Sequence, residues 1–355
     1  MRPALLRPAQ ALVFSGACVL AACSASSHTF TTGAGGAGSG STGNGGPGGG
    51  FTSGTGGSPN FTATGTGAGT TSSGGGSFIA YAHTNNTLFK IDPTQANLGV
   101  TSIGGFDCIG GAGQDSSMTD LAVDATGDLW GVTAHHVYHL VIMGSKVACG
   151  PPIVLPMGAT FYGLTFAPTD VTGLSKEILV AGNTKGELYT VDTMGATVLL
   201  GDFGNVPSGT NAGKPWQLSG DIVFLSNNGN PVGFATVRDC KSTTSSSGCD
   251  KTDTLIEIDV AAVKTAITSH TPQSLTASVR GKIVKKAGCS DTVNTSYGSM
   301  FGIAAWNDKV YGFSHKGDIV EIDNNDGTAC LVVGGMDLWD GAAVTTSAPV
   351  IKPPN

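Results

Sequence analysis

Between residues 77 and 350 the apolar positions fall in short β-branched runs separated by Gly, Asn and Asp turns, the pattern of an all-β fold. Alternation is clearest in Leu88-Phe89-Lys90-Ile91-Asp92, Leu188-Tyr189-Thr190-Val191-Asp192, Leu255-Ile256-Glu257-Ile258-Asp259 and Ile319-Val320-Glu321-Ile322-Asp323, each an alternating strand that ends in Asp. Val137-Tyr138-His139-Leu140-Val141 fills a fifth slot without the Asp. No long amphipathic helix is present; Val260 to Ser269 reads as one short helix.

A second element recurs: a large apolar residue, any residue, Gly or Asp, then a small or apolar strand. It reads Met118-Thr119-Asp120-Leu121-Ala122-Val123, Phe161-Tyr162-Gly163-Leu164-Thr165-Phe166 and Leu218-Ser219-Gly220-Asp221-Ile222-Val223, then Met300-Phe301-Gly302-Ile303-Ala304-Ala305 and Leu338-Trp339-Asp340-Gly341-Ala342-Ala343. Another strand sits between the two elements, as in Asp128 to Val132, Glu177 to Ala181 and Lys309 to Phe313, and a fourth follows, as in Ala196 to Leu200 and Leu331 to Val333. Four strands in a unit of ~40 residues resemble a β-propeller blade, and five copies imply five blades. The domain opens on a second strand, Phe78 to Ala82, and the unpaired first element lies at the far end, Leu338 to Thr346. The resemblance therefore implies a circle closed by the C-terminal strand completing the N-terminal blade, which hides the sheet edges. The first-element spacings are 43, 57, 82 and 38 residues. The interval of 82 either holds a sixth blade or carries insertions, and the Ser/Thr-rich loop from Asp239 to Asp250 favours insertions. No specific propeller family is matched by these motifs, and a β-sandwich assembly is the competing architecture.

The first 22 residues have a basic start (Arg2, Arg7), an apolar run from Ala11 to Ala22 and small residues at the end, as in a signal peptide. The run is short for a ~30 Å hydrocarbon core. Leu20-Ala21-Ala22-Cys23 resembles the lipobox of bacterial lipoproteins. That resemblance implies cleavage before Cys23, acylation of its thiol (palmitate included), and a firm anchor of two or more chains. Ser24, not Asp, follows the Cys, which implies sorting to the outer membrane, periplasmic or surface-exposed. Residues 23–76 form a lipidated Cys with a Gly/Ser/Thr-rich linker that lacks hydrophobic period and charge, and so reads as disordered. Its coil dimension is roughly 40 Å. Residues 351–355 are a short tail.

Composition narrows function. Charged residues make up 12% of the chain and the formal net charge is -7; no basic cluster marks a nucleic-acid footprint. Once the leader and the acylated Cys23 are set aside, six cysteines remain in an exported domain, a disulfide pattern. Cys240 and Cys249 flank one polar loop. Cys108 and Cys149 are 41 residues apart, as are Cys289 and Cys330, and both pairs hold equivalent repeat positions, so they pair as staples between neighbouring blades. No CxxC spacing suggests zinc.

His83, His135 and His315 share the turn after the second strand, with Asn183 in the equivalent place of another unit. In a propeller those turns are expected far from the axis and from each other, which makes them turn residues rather than ligands. Asp120 and Asp340, with Asp221 one place out of register, fall near the inner strands and are the channel-mouth ligand candidates, together with Trp339. They would either hold Ca²⁺ or bond backbone N–H groups at strand starts. Asp323 to Gly327 is a turn, because Asp-Gly is a hairpin signal and the EF-hand ligand spacing is missing. No G-x-S-x-G elbow or phosphate-loop setting occurs, and no catalytic residue is assigned. Two functions stay open: a monomeric, membrane-anchored module presenting a protein-, peptide- or glycan-binding face without cofactor, and a propeller hydrolase or lyase with a divalent cation at the channel mouth.

Overall fold

The computed structural model describes residues 78–349, apart from residues 96, 157, 159, 228–229, 243–247, 291–294 and 308. All belong to one unit, Gly67–Asn355. The leader, Cys23, the linker and the tail lie outside the described residues.

The domain is all-β and built of several antiparallel sheets. Its strands run in up-and-down sets. The first set is β1 (Ala80–His83), β2 (Thr87–Asp92) and β3 (Gly99–Phe106). The second is β4 (Asp120–Val123), β5 (Leu129–Val132) and β6 (His136–Met143), whose outer partner is split into β7 (Lys146–Cys149) and β8 (Ile153–Val154). The third is β9 (Phe161–Ala167), the short helix α1 (Thr169–Thr172), β10 (Ile178–Asn183), β11 (Glu187–Val191) and β12 (Thr197–Asp202). The fourth is β13 (Gln217–Asn227), β14 (Asn230–Arg238) and β15 (Thr254–Ile258), then α2 (Val260–Ser269), β16 (Gln273–Ser274) and β17 (Thr276–Lys282). The fifth is β18 (Met300–Trp306), β19 (Lys309–Ser314), β20 (Ile319–Ile322) and β21 (Ala329–Val333). The last strand, β22 (Gly341–Val344), returns to β1 and pairs antiparallel from Ala80↔Val344 to His83↔Gly341.

Each recurring sequence element maps to a strand position. The Gly/Asp-bearing element forms β4, β9, β13, β18 and β22; the alternating element forms β2, β6, β11, β15 and β20. The 82-residue interval contains the fourth set's own β14, β15 and β17 with α2 and β16 inserted, and no further four-stranded set among the described residues. Helix α2 starts where Asp259 accepts the N–H groups of Ala261 and Ala262, both at 3.0 Å, an N-cap that satisfies two otherwise orphaned donors. β14 escaped the sequence pattern because its Pro, Gly and Thr positions (Asn230-Pro231-Val232-Gly233-Phe234-Ala235-Thr236) blur the alternation.

The innermost strands pack side by side in a cycle: β4 on β9, β9 on β13, β13 on β18, β18 on β22, and β22 back on β4. Neighbouring sets are also joined at their outer strands. β3 pairs parallel with β7 and β12 with β16. Glycine is required at both crossings: a Cβ on Gly104 would lie 2.0 Å from Ser145 O, and one on Gly201 1.9 Å from Gln273 O. The expected disulfides are formed. Cys108, after β3, joins Cys149 at the end of β7; Cys289, after β17, joins Cys330 in β21; Cys240 joins Cys249 across the loop after β14.

Cys289–Cys330 closes a 41-residue separation across two sets. The double substitution Cys289→Ser/Cys330→Ser should therefore lower unfolding free energy by about 2–4 kcal/mol, measured by urea unfolding of the oxidised protein against the variant.

Candidate functional site

The ladders fix which residues stand level around the ring. Asp120 faces Val132, Gly163 faces Gly182, Gly302 faces Phe313 and Gly341 faces His83. On β13 the equivalent residue is Asp221, whose N–H lies 3.4 Å from Thr236 Oγ1. The pairing Leu255↔Thr236 matches Leu88↔His83 and Leu188↔Gly182. This corrects the expected register: Asp120 and Asp221 are equivalent, and Asp340 is the residue displaced by one. At this level two strands carry carboxyls and three carry no side chain at all, so the two aspartates fill the space that the glycines leave.

Both carboxyls are fully buried, at 0% exposure. An innermost strand has one edge paired to its neighbour in the sheet and the other edge bare, and buried bare N–H groups need acceptors. Asp120 Oδ2 accepts the Leu164 N–H of β9 at 2.6 Å, and Asp221 Oδ2 accepts the Ile303 N–H of β18 at 2.6 Å. Asp221 also takes the N–H of Ile222, and the N–H groups of Ala342 in β22 and Leu121 in β4 lie close enough to favour the ionised forms of Asp221 and Asp120. The N–H groups of all five innermost strands thus face one pair of acids. The two carboxyls are also close enough to act on each other directly, and a proton between them would turn that contact into a hydrogen bond. Burial pushes Asp221 up to about 8 and, reinforced by the charge of Asp221, holds Asp120 well above the usual carboxylate range. Two carboxylates in one dry site cannot both ionise.

His83 belongs to the same cluster. The expectation that the second-strand turns keep their histidines away from the centre fails for it, because Gly341 opposite leaves room for the imidazole to turn inward. His83 is fully buried and its Nδ1 lies 2.8 Å from Thr84 O. A carbonyl only accepts, so Nδ1 carries the proton and Nε2 is a bare acceptor. Burial lowers its pKa to about 4. Nε2 has no hydrogen-bond partner, and Asp120 Oδ1 receives no N–H or hydroxyl. Both atoms lie within 2.5 Å of the point a Cβ on Gly341 would occupy.

The other candidates are not gathered there. Trp339 is not at an open mouth; it is fully buried, edge-on to Phe89 and Phe313 at centroid distances of 5.3 and 6.0 Å. Asp340 is half-buried, with Oδ1 2.9 Å from His315 Nδ1; burial raises its pKa against the pull of that imidazole. His135 is exposed. His139 is held at 2.6 Å by Asp128, which also accepts the Trp130 indole N–H at 3.0 Å. Asp323 caps its own turn by accepting the Asn325 N–H at 3.0 Å.

One buried acid had no sequence signal. Asp253, just before β15, accepts Ser219 Oγ at 2.6 Å, the Met300 N–H at 2.7 Å and Arg238 Nε at 3.2 Å. Burial raises its pKa and Arg238 opposes that. It bridges β13 to β18 below Phe301, over whose ring Arg238 lies 5.4 Å from the centroid.

Three of the four carboxyl oxygens of the aspartate pair accept backbone N–H groups, the positive ends of peptide dipoles, which leaves Asp120 Oδ1 as the one carboxyl oxygen free to meet a cation. Among the described residues one group of three potential ligands has donor atoms within 4.8 Å of one another, namely Asp107, Cys108 and Cys149. Its two sulfurs are bonded to each other.

Fold and site together define an all-β domain whose strands close around a buried acid pair. No family model matches the sequence, and no curated protein matches it. Among solved structures, the chain is similar to a protein of unknown function from Bacteroides caccae, at 10% identity and TM-score 0.36 over 76% of this chain and 98% of that one. It is also similar to a structural genomics protein of unknown function from Bacteroides thetaiotaomicron VPI-5482, at 11% identity and TM-score 0.38 over 66% of this chain and 54% of that one. A third is BBS1N in complex with ARL6DN, at 10% identity and TM-score 0.31 over 68% and 60%. The chain spans little more than half the length of the last two.

Removing the cation from a nearly buried ion pair strands the acid. Arg238→Met is expected to destabilise the domain by about 3 kcal/mol, read as a shift in the urea midpoint, with Arg238→Met/Asp253→Asn recovering part of the loss.

Proposed function

We propose that the chain is an exported lipoprotein, acylated at Cys23 and held at the outer membrane, which presents a five-bladed β-propeller as a monomeric binding module for a protein, peptide or glycan. The blade reading is supported by the sets of four strands, the cyclic packing of the innermost strands and the pairing of β22 with β1. The observation that carries the choice of binding over catalysis is the state of the centre. Of the acids a channel-mouth hydrolase would use, Asp120 and Asp221 are sealed from solvent and bonded to backbone donors, and Asp340 stands apart from them against His315. Recognition then falls to the outside of the domain. Exposed apolar side chains concentrate on the second and third sets: Val141, Ile142 and Met143 at the end of β6, Val154 on β8, and Met194 in the turn before β12.

The test is metabolic labelling with an alkyne fatty acid in a bacterial host, combined with melts of the mature protein with and without EDTA. Label that vanishes in Cys23→Ser, release of that variant to the soluble fraction and an EDTA-indifferent melt are expected. Label independent of Cys23 would contradict the anchor; a large EDTA-induced loss of stability would contradict the cofactor-free module.

A further inference from the structure

We propose that His83, Asp120 and Asp221 form one buried proton-binding site that latches the closing strand β22. The three side chains come from β1, β4 and β13, and β22 threads between them. Gly341 is the point of passage: a Cβ there would lie 2.2 Å from His83 Nε2, 2.5 Å from Asp120 Oδ1 and 2.9 Å from Asp120 Cα. The next residue, Ala342, turns its N–H toward Asp221. Beyond the ladder to β1, the chain continuing from β22 meets β4 through the bridge Val123↔Thr345, β13 through Ser226 N–H to Thr346 O at 3.2 Å, and Glu177 through Thr346 Oγ1 at 2.6 Å; the acid pair faces it at the level of Gly341 and Ala342.

The site holds two unmet acceptors, His83 Nε2 and Asp120 Oδ1, and both are buried. They make no hydrogen bond or ion pair with each other, so no single proton bridges them; the proton shared with Asp221 instead neutralises the pair and lowers the cost of leaving Asp120 Oδ1 unmet. Among the described residues neither aspartate has a cationic partner. Arg238 pairs with Asp253, and His315 lies against Asp340. β9 and β18 offer only the backbone N–H groups of Leu164 and Ile303. Loss of the proton would leave uncompensated charge in a dry site, and letting water in past β22 relieves it.

The direction in pH follows from which state holds more protons. The aspartate pair is raised and shares one proton, so the closed state holds that extra proton from the ordinary carboxylate range up to about 8, and closure weakens as pH rises through that window. His83 is lowered to about 4, so it works the opposite way between about 4 and its ordinary 6.5 and offsets that proton there. The net loss of closure therefore lies between about 6.5 and 8.

Hydrogen exchange on the mature protein across pH 6 to 9, corrected for intrinsic base catalysis, tests the latch. Protection of β22 and β1 amides should fall up to about tenfold per pH unit between 6.5 and 8, while β10 and β11 stay protected. Asp120→Asn and Asp221→Asn should flatten the dependence. A pH-independent profile, or equal loss in all strands, would overturn the proposal. Should both variants fail to fold, infrared spectroscopy of the wild type decides. A protonated carboxylic C=O band at pH 7 that disappears by pH 9 is expected. Its absence, or a divalent ion retained in native mass spectra and stripped by EDTA, would overturn the proton assignment.

Discussion

Five strands that meet edge-on leave a row of backbone N–H groups with nothing to bond, and everything else in this domain depends on how they are met. Two carboxyls suffice because the other three positions at that level are glycine. Asp120 and Asp221 accept N–H groups from β9, β13 and β18 and face those of β4 and β22, and in the proposed latch they share a proton. Glycines at and next to that level let the strands approach closely enough for one acid to reach its neighbours. At Gly220 a Cβ would sit 2.3 Å from Phe301 Cα, and at Gly302 2.5 Å from Ala342 N. Small residues and buried acids are therefore two halves of one solution.

Around that centre the outer strands are tied in a second, independent way. Parallel pairings β3–β7 and β12–β16 join neighbouring sets, and two disulfides with equal 41-residue separations bind the connection leaving one set to the outer strand of the next. Closure by β22 adds the last joint. With both rims and hub engaged in holding the sheet sets together, the surfaces left for recognition are the strand ends and the exposed apolar turns, which is the physical basis of the proposed binding role.

Much of this architecture was legible in the sequence because repetition exposes it. The Gly/Asp element and the Asp-ending element located the innermost and third strands, the equal cysteine spacings located two disulfides, and Val260 to Ser269 is a helix to the residue. The site was only half legible. Asp120 and Asp221 were recognisable as inner-strand acids, and backbone bonding was one of their two readings. Their mutual register was not, because Asp340 and Gly341 are adjacent and a one-residue slip turns a side chain to the other face of a strand. His83 resembled a turn residue like His135; that its ring folds inward depends on Gly341, 258 residues later, opposite it. Asp253 lies in a polar stretch with no period, so nothing local marks its burial.

The most direct measurement is neutron diffraction of the mature protein near pH 6.5. The account expects a deuteron between Asp120 and Asp221, Nδ1 of His83 deuterated towards Thr84 O, and the N–D groups of Leu164, Ile303 and Ala342 aimed at the carboxyls. Two fully ionised carboxylates separated by a metal ion or an open water column would contradict it.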